Sequence, residues 1–276
     1  MLDLKNLQVA PPWEWPENSG KIILKVLTDS QAEAGDRLIA AELAGESPVI
    51  DDKIAAALLA ITLNNEEAPD LRAQAVISLG PALEQTELAL DDDDIDDAPI
   101  SEKLLRRITT ALQELFLDAA LPANLRRRVL EASVHAPRDW HQDAVREAYL
   151  SSDPKWKLTA VFCMQFIRGF AEQILEALNN PDPIVQEEAV TAAANWELRA
   201  AWPRLEKIIT ASATDHENLR LVAIDAAPFV DPQKALDVLS QIRPTGDEIF
   251  DETLRESLSM AEGLLSDVSD EDDNLL

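Results

Sequence analysis

Cysteine and glycine are scarce in this chain of 276 residues, and each scarcity excludes a class of protein. A single cysteine excludes a disulfide framework and fits a reducing compartment. Seven glycines leave no Gly-rich loop of the kind that holds a nucleotide phosphate. The longest apolar stretches, such as residues 55–61, are too short to span a bilayer, and the N-terminal residues lack the blocks of a signal peptide. We therefore expect a cytoplasmic protein without membrane contact.

Positive charge is scarce as well, since the net charge is −28. Residues 1–100 carry 6 basic and 21 acidic groups, a net of −15, and residues 169–276 carry 7 and 23, a net of −16. Residues 101–168 carry 11 basic and 8 acidic groups, a net of +3. Such a field repels nucleic acid and anionic lipid. The charge either keeps the protein soluble or attracts a protein partner with a basic surface.

What the chain does contain is a repeat: a residue pair followed, four positions after its first member, by a small or apolar residue. The spacings between successive copies are 35, 54, 31, 29, 34 and 35 residues. A period in this range indicates stacked helix pairs. The seven copies are Asp36-Arg37…Ala40, Leu71-Arg72…Ala75, Leu125-Arg126…Val129, Trp156-Lys157…Ala160, Val185-Gln186…Ala189, Leu219-Arg220…Ala223 and Leu254-Arg255…Leu258.

Each copy extends into a helical register, with apolar or small residues 4, 7 and 11 positions after the first pair member. Leu219, Ala223, Ala226 and Val230 show it clearly. The pattern predicts an all-α fold, a right-handed α-solenoid (α/α superhelix) of about seven helix-pair repeats. We assign residues 1–16 to an N-terminal cap, 17–265 to the solenoid and 266–276 to a disordered acidic tail, with an acidic insertion loop at 91–98.

The turn Asp182-Pro183, the pair Val185-Gln186 and the alanine Ala189 resemble the HEAT-repeat family, in its short-period bacterial form. The resemblance implies that the second pair residue forms a ladder of contacts to an Asp of a neighbouring turn. It also leaves open a ligand-handling role like that of phycobilin-lyase-like proteins, whereas a HEAT-like DNA glycosylase would need a cationic groove. The ladder residues are Arg37, Arg72, Arg126, Lys157, Arg220 and Arg255.

The long spacing between the second and third copies contains the acidic insertion, with Asp91, Asp92, Asp93, Asp94, Asp96 and Asp97. Six like charges predict a solvated loop rather than core. An EF-hand frame starting at Asp92 fails, because Lys103 occupies the position of the bidentate Glu. Loose association with divalent cations, a role in metal supply and docking on a basic surface stay open. The basic surface on which the loop would dock is that of a partner or that of the arginines at 126–128. For these arginines, an anion site and an internal clamp for the acidic loop are equally open alternatives.

No catalytic constellation is apparent, and we expect no metal, no cofactor and no enzyme activity. Three histidines and one cysteine lack the spacing of a metal site. Trp and Arg are enriched at binding hot spots, so we predict a contact patch in the least acidic segment. With the acidic loop, this patch favours a protein-binding scaffold or adaptor for a basic or helical segment. The patch consists of Arg138, Asp139, Trp140, His141 and Asp143, with Trp202.

Overall fold

The computed structural model describes residues 4–46, 48–91, 97–211 and 216–273, and the side chains among them up to residue 266. The chain is 73% helix, and the described residues contain no strand. They form two compact units, Met1–His141 (unit 1) and Gln142–Leu276 (unit 2). The helices are α1 (Leu4–Val9), α2 (Ser19–Thr28), α3 (Ala34–Leu43), α4 (Asp52–Leu63), α5 (Pro69–Ile77), α6 (Gly80–Asp91), α7 (Glu102–Leu117), α8 (Ala123–Ser133), α9 (Trp140–Leu150), α10 (Pro154–Cys163), α11 (Ala171–Ala177), α12 (Pro183–Asn195), α13 (Trp202–Thr210), α14 (Glu217–Val230), α15 (Pro232–Leu239) and α16 (Glu248–Asp273), with short 3-10 helices at Pro12–Glu14 and Arg199–Ala201.

The seven copies of the residue pair all lie in the second helix of a helix pair: α3, α5, α8, α10, α12, α14 and α16. In unit 1 these second helices pack in chain order, α3 on α5 and α5 on α8, and the first helices α2, α4 and α7 pack on one another likewise. In unit 2, α10 packs on α12, α12 on α14 and α14 on α16. The predicted all-α helical-repeat fold is confirmed.

Aspartates cap the N-termini of several helices, as the Asp-Pro turns predict. The carboxylate of Asp153 accepts a hydrogen bond from the backbone N–H of Lys155 (2.9 Å), and Asp182 accepts one from Ile184 (3.0 Å). The proline that follows each capping aspartate, Pro154 or Pro183, occupies the first turn of the helix, where a backbone N–H has no acceptor within the helix. These turns therefore determine where α10 and α12 begin.

The second helices are buried on two flanks, not only on the one that the spacing of 4, 7 and 11 predicts. Positions 5 and 8 after the first pair member are also buried, as in Val190 and Ala193 of α12 and Ile224 and Ala227 of α14. A helix that lies between two neighbouring second helices must be apolar toward both of them. The recurrent small residues at these positions let the helices approach closely.

The arginines of the repeated pairs cap the preceding helix. The Nε–H of Arg72 donates to the carbonyl oxygen of Thr62 (2.9 Å), and the Nε–H of Arg126 donates to that of Phe116 (3.0 Å). Arg220 does the same to Ile209 (2.9 Å). Each acceptor lies in the last turn of the first helix, where carbonyls have no partner within the helix. The arginines thus tie the two helices of one pair together, which differs from the ladder to a neighbouring Asp.

Two cations of the series do reach the following pair, through glutamates. Arg37 donates from both Nη atoms to the carboxylate of Glu67 (2.7 Å each), and Lys157 Nζ lies 3.6 Å from a carboxylate oxygen of Glu176. The hydrogen bond to Arg37 lowers the pKa of Glu67. Arg255, the last member of the series, is exposed.

Gln186 occupies the pair position in α12, and another residue takes over the capping there. Arg204 of α13 donates from Nε to the carbonyl oxygen of Leu178 (3.0 Å), at the end of α11, and from Nη2 to the side-chain oxygen of Gln186 (3.1 Å). The missing arginine of this pair is therefore supplied by the first helix of the next pair.

Both ends of the chain contain helical residues where the sequence analysis predicted none. A helix, α1, packs against α3 and covers the first pair. Trp15 Nε1 donates to the carbonyls of Leu7 (3.0 Å) and Ala10 (2.9 Å), whereas Trp13 is 82% exposed. At the other end α16 continues to Asp273, into the segment predicted as a disordered tail, because no proline interrupts it.

Candidate functional site

The contact patch predicted at residues 138–140 lies beside an open groove of about 620 Å³ in unit 1. Arg138 forms an ion pair with Glu87 of α6, and its Nη1 donates to the carbonyl oxygen of Pro137 (2.7 Å). Asp139 is exposed. Half-buried Trp140 stacks on the ring of His141, with centroids 3.8 Å apart. The other groove residues are Arg106, Thr109, Thr110 and Gln113 of α7.

His141 is buried, so it does not belong to a contact surface, and this part of the prediction is corrected. The backbone N–H of Arg138 donates to Nδ1 of His141 (2.9 Å), which assigns the ring proton to Nε2. Nε2 lies 3.0 Å from Oγ of Ser133, which in turn donates to the carbonyl oxygen of Leu130 (3.0 Å). Burial lowers the pKa of His141 to about 4. The ring is therefore neutral at pH 7 and orders the start of α9.

Trp202 is corrected in the same way, because only 4% of it is exposed in the core of unit 2. Asp143 is exposed at the start of α9 and pairs with Arg146 (2.7 Å). Asp91 ends α6, and Asp91 and Asp97 are both exposed. The remaining acidic-loop residues lie outside the described part of the chain; they are Asp92, Asp93, Asp94 and Asp96. Binding by Asp139, Asp143 and the acidic loop stays a prediction.

Two further basic side chains of unit 1 are paired with acids of α6 and α8. His135 Nδ1 lies 2.8 Å from a carboxylate oxygen of Glu84, and Arg128 pairs with Glu131 (2.6 Å). Gly80 makes the first contact possible, because a Cβ there would lie 2.8 Å from the His135 ring. The internal clamp of the acidic loop by the arginines at 126–128 stays a prediction, because residues 92–96 of the loop lie outside the described part of the chain.

A surface that the sequence analysis missed is formed by the second helices of unit 2. Positions −1, 2, 6 and 10 relative to the first pair member are exposed or half-buried on each of these helices, and we call the surface that they form the open face. Asn218 of α14 donates from Nδ2 to a carboxylate oxygen of Glu187 in α12 (2.8 Å), which joins two neighbouring rows. The rows are Lys155, Leu158, Phe162 and Phe166; Ile184, Glu187, Thr191 and Asn195; Asn218, Leu221, Asp225 and Phe229; and Thr253, Glu256, Met260 and Leu264.

The open face combines exposed apolar side chains with carboxylates. Ile184 is 52% exposed, Phe229 41% and Met260 45%. Phe162 and Phe166 add an aromatic pair with ring centroids 5.5 Å apart. The face carries three acids and one lysine, so it is both apolar and negatively charged.

A smaller groove of about 410 Å³ lies at the ends of α10 and α12. The guanidinium of Arg168 lies 5.1 Å from the ring centroid of Trp196, whose Nε1 donates to the carbonyl oxygen of Met164 (2.6 Å). Glu197 has a positive φ of 49° because it caps α12. The N–H of Leu198 bonds to the carbonyl of Ala193, and the N–H of Glu197 to that of Ala194, the bonding pattern of a left-handed helix cap.

The described residues hold neither a cluster of metal ligands nor a helix able to span a membrane. Within the described ranges no three His, Cys, Asp or Glu side chains come together as metal ligands. None of the described helices has the length and apolar character needed to cross a bilayer.

No family model and no curated protein matches this sequence. Solved structures do resemble it. YibA of Escherichia coli has 14% identity and a TM-score of 0.46, covering 90% of this chain and 83% of its own. An engineered protein has 15% identity and a TM-score of 0.41, covering 88% of this chain and 68% of its own. Human deoxyhypusine hydroxylase in complex with glycerol has 16% identity and a TM-score of 0.39, covering 90% of this chain and 97% of its own.

The last of these corrects one prediction. The expectation that this chain is not an enzyme is wrong as a conclusion from its repeat pattern, because a protein named as a hydroxylase is among the similar structures. An all-helical repeat fold therefore does not exclude catalysis.

Proposed function

We propose that this protein is a HEAT-like repeat scaffold that binds a basic segment of a partner protein on the open face of unit 2. The observation that carries the proposal is the separation of charge in the second helices. The pair cations Lys157 and Arg220 are engaged inside the fold, with Glu176 and the carbonyl of Ile209. The acids of the open face, in contrast, point away from the core, where Asp225 and Glu256 are exposed.

Exposed apolar groups beside carboxylates suit a partner that carries both lysine or arginine and apolar side chains. The carboxylates speed encounter and exclude acidic partners, and the apolar groups slow dissociation. Unit 2 carries 11 basic and 26 acidic residues, a net of −15, which adds long-range attraction for such a partner.

The test is binding of a fluorescent, lysine-rich amphipathic peptide, followed by anisotropy at low and at physiological salt. A triple variant, Glu187→Gln with Asp225→Asn and Glu256→Gln, removes the carboxylates of the open face. Each such charge contributes about 0.5–1 kcal/mol, so we expect affinity to fall about tenfold or more. Higher salt should weaken binding to the natural sequence more than binding to the variant.

A matched control removes three carboxylates from the first helices of unit 2, with Glu172→Gln, Glu206→Gln and Asp237→Asn. All three residues are exposed, so the net charge changes equally while the open face stays intact. Equal losses of affinity in both triple variants would show that only the general charge matters and would contradict a site on the open face.

A further inference from the structure

We infer that the segment bound on the open face is an amphipathic helix with two apolar anchors separated by about 11–13 residues and basic side chains around them. The inference depends on the proposed function and specifies its ligand. It follows from the arrangement of apolar and polar residues on the four second helices of unit 2.

At positions 6 and 10 of the open face α10, α14 and α16 each carry at least one apolar residue, whereas α12 carries only polar ones and has its apolar residue, Ile184, at position −1. We call the apolar residues on either side of α12 the first and the second cluster. The first cluster is the Phe162–Phe166 pair at the end of α10. The second is formed by Phe229 of α14, 41% exposed, and Met260 of α16, 45% exposed. At the corresponding positions α12 carries Thr191 and Asn195, which cannot serve as apolar anchors.

The distance between the clusters sets the length of the ligand. Packed helices lie 8–10 Å apart, so α10 and α14, which are separated by α12, are about 16–20 Å apart. A helix rises 1.5 Å per residue and therefore spans this distance in about 11–13 residues. An extended segment would need only about 5–6 residues. The spacing of the anchors in the ligand thus distinguishes the two conformations.

A helical ligand fits better because the open face offers few free partners for an extended backbone. An extended segment leaves an N–H and a carbonyl at every residue that need hydrogen bonds. The amides of the face are already engaged, since Asn195 donates to the carbonyl of Gln165 (3.3 Å) and Asn218 donates to Glu187 (2.8 Å). A helix satisfies its own backbone and needs from the face only apolar contact and opposite charge.

The charges suit the basic flanks of such a helix. Glu187 lies on α12 between the clusters, and Asp225 and Glu256 lie beside the second cluster. Lysine or arginine residues between the anchors would meet Glu187, and those next to the second anchor would meet Asp225 and Glu256. An acidic or purely apolar helix would lack these pairs.

The experiment compares three synthetic lysine-rich peptides of equal length against the full-length chain, by titration calorimetry and circular dichroism. One carries leucine anchors 11 residues apart on one helix face among lysines, the second has them 6 residues apart, and the third has the first spacing with a central proline. We expect the first to bind at least tenfold more tightly than the others and to gain helicity on binding, because proline breaks a helix. If all three bind equally, or the proline peptide binds best, the helical ligand is refuted while the proposed function stands. If none binds even at low salt, the proposed function itself fails.

Protein variants complete the test. Phe229→Ser should weaken binding of the first peptide at least fivefold and leave the second peptide unaffected. The control is Leu150→Ser, which removes an apolar side chain that is 77% exposed on α9 of the same unit but outside the open face. Equal effects of the two substitutions would overturn the assignment of Phe229 as an anchor.

Discussion

The pair arginines show how one position of a repeat acquires different environments. Arg37 meets the carboxylate of Glu67, four residues before the next pair, and its hydrogen bond to Glu67 raises the Arg37 pKa. For Arg72 the equivalent position is occupied by Leu121, which offers no carboxylate. Nη2 of Arg72 has no hydrogen-bond partner among the described residues, and burial lowers the Arg72 pKa. For Arg220 the equivalent position is occupied by Phe250, whose ring centroid lies 4.8 Å from the guanidinium. In these three cases the position four residues before the next pair holds Glu, Leu or Phe, and the surroundings of the preceding arginine differ as well.

This difference predicts unequal costs for the same substitution. Arg37→Met should lower the free energy of unfolding by about 2 kcal/mol, because it leaves the shielded carboxylate of Glu67 without its charged partner. Arg72→Met should change it by less than about 1 kcal/mol, because the lost bond to Thr62 is offset by removal of a buried, incompletely bonded cation. Urea denaturation of both variants measures the difference. Arg37 Nη2 also donates to the carbonyl oxygen of Leu27 in the preceding helix (3.3 Å), so equal costs would show that the bond to a carbonyl, common to both arginines, dominates.

His141 predicts a loss of stability on mild acidification. Its pKa in the folded state, about 4, lies below the ordinary value of 6.5, so between these two values the unfolded state binds a proton that the folded state does not. The contribution is absent above pH 6.5 and destabilises progressively down to pH 4, by at most about 3 kcal/mol. His141→Gln should therefore lose less stability than the natural sequence between pH 7 and pH 5, as measured by thermal melting. An NMR titration of the His141 ring that shows protonation near pH 6.5 would contradict this.

At the level of the elements, the left-handed cap at Glu197 predicts a stabilising substitution. A residue with a side chain at this positive φ costs about 1–2 kcal/mol, which glycine avoids. Glu197→Gly should therefore be more stable than Glu197→Ala by about 1 kcal/mol, since both variants remove the charge but only glycine relieves the backbone. Melting temperatures of the two variants decide the matter, and a more stable alanine variant would contradict the cap.

The second helices were predictable because their signal is local. The spacing of 4, 7 and 11 residues placed all seven pairs correctly, and the Asp-Pro turns marked where helices such as α12 begin. The apolar residues at positions 5 and 8 are as regular in the sequence as those at 4, 7 and 11. Because the positions 4, 7 and 11 alone predict one buried helix face, the second buried flank was not predicted. The acidic insertion loop was predicted at 91–98, and α6, which runs from Gly80 to Asp91, overlaps it only at its first residue.

The candidate site was less predictable because it is assembled from residues about 30 positions apart. A search for residues clustered along the sequence found 138–143, where His141 is buried and Arg138 is paired with Glu87. The open face takes one residue from each turn of four helices, so Phe162, Phe229 and their neighbours form no cluster in the sequence. The open face can be identified only when the rotation of each helix about its own axis is known, and packing on both flanks sets that rotation.

At the scale of a whole unit, α16 differs from the other second helices on one flank. Where α14 has buried Ile224 and Ala227, α16 has exposed Ser259 and Glu262. A terminal repeat needs such a polar flank, because an apolar one would stay open to association with another molecule.

Copying the residues of α14 into α16 should therefore cause self-association. The double variant Ser259→Ile with Glu262→Ala would present an apolar flank of the kind that interior helices bury. Sedimentation velocity over a range of concentrations should show dimers or larger species that the natural sequence does not form. Ser240→Ile with Glu248→Ala, two exposed positions elsewhere in unit 2, is the control. An unchanged sedimentation coefficient in the α16 variant would show that its polar flank has no such role.

The bond from Arg204 to Leu178 has a consequence for how this chain can be recombined. Excising α13 and α14 as one module would remove the donor that the end of α11 depends on, while Gln186 could not replace it. In this stretch the smallest block that can be deleted, duplicated or grafted without loss is two helix pairs, from α11 to α14. A single pair moved from this stretch would need an arginine at position 186 to bond the carbonyl of Leu178 in place of Arg204.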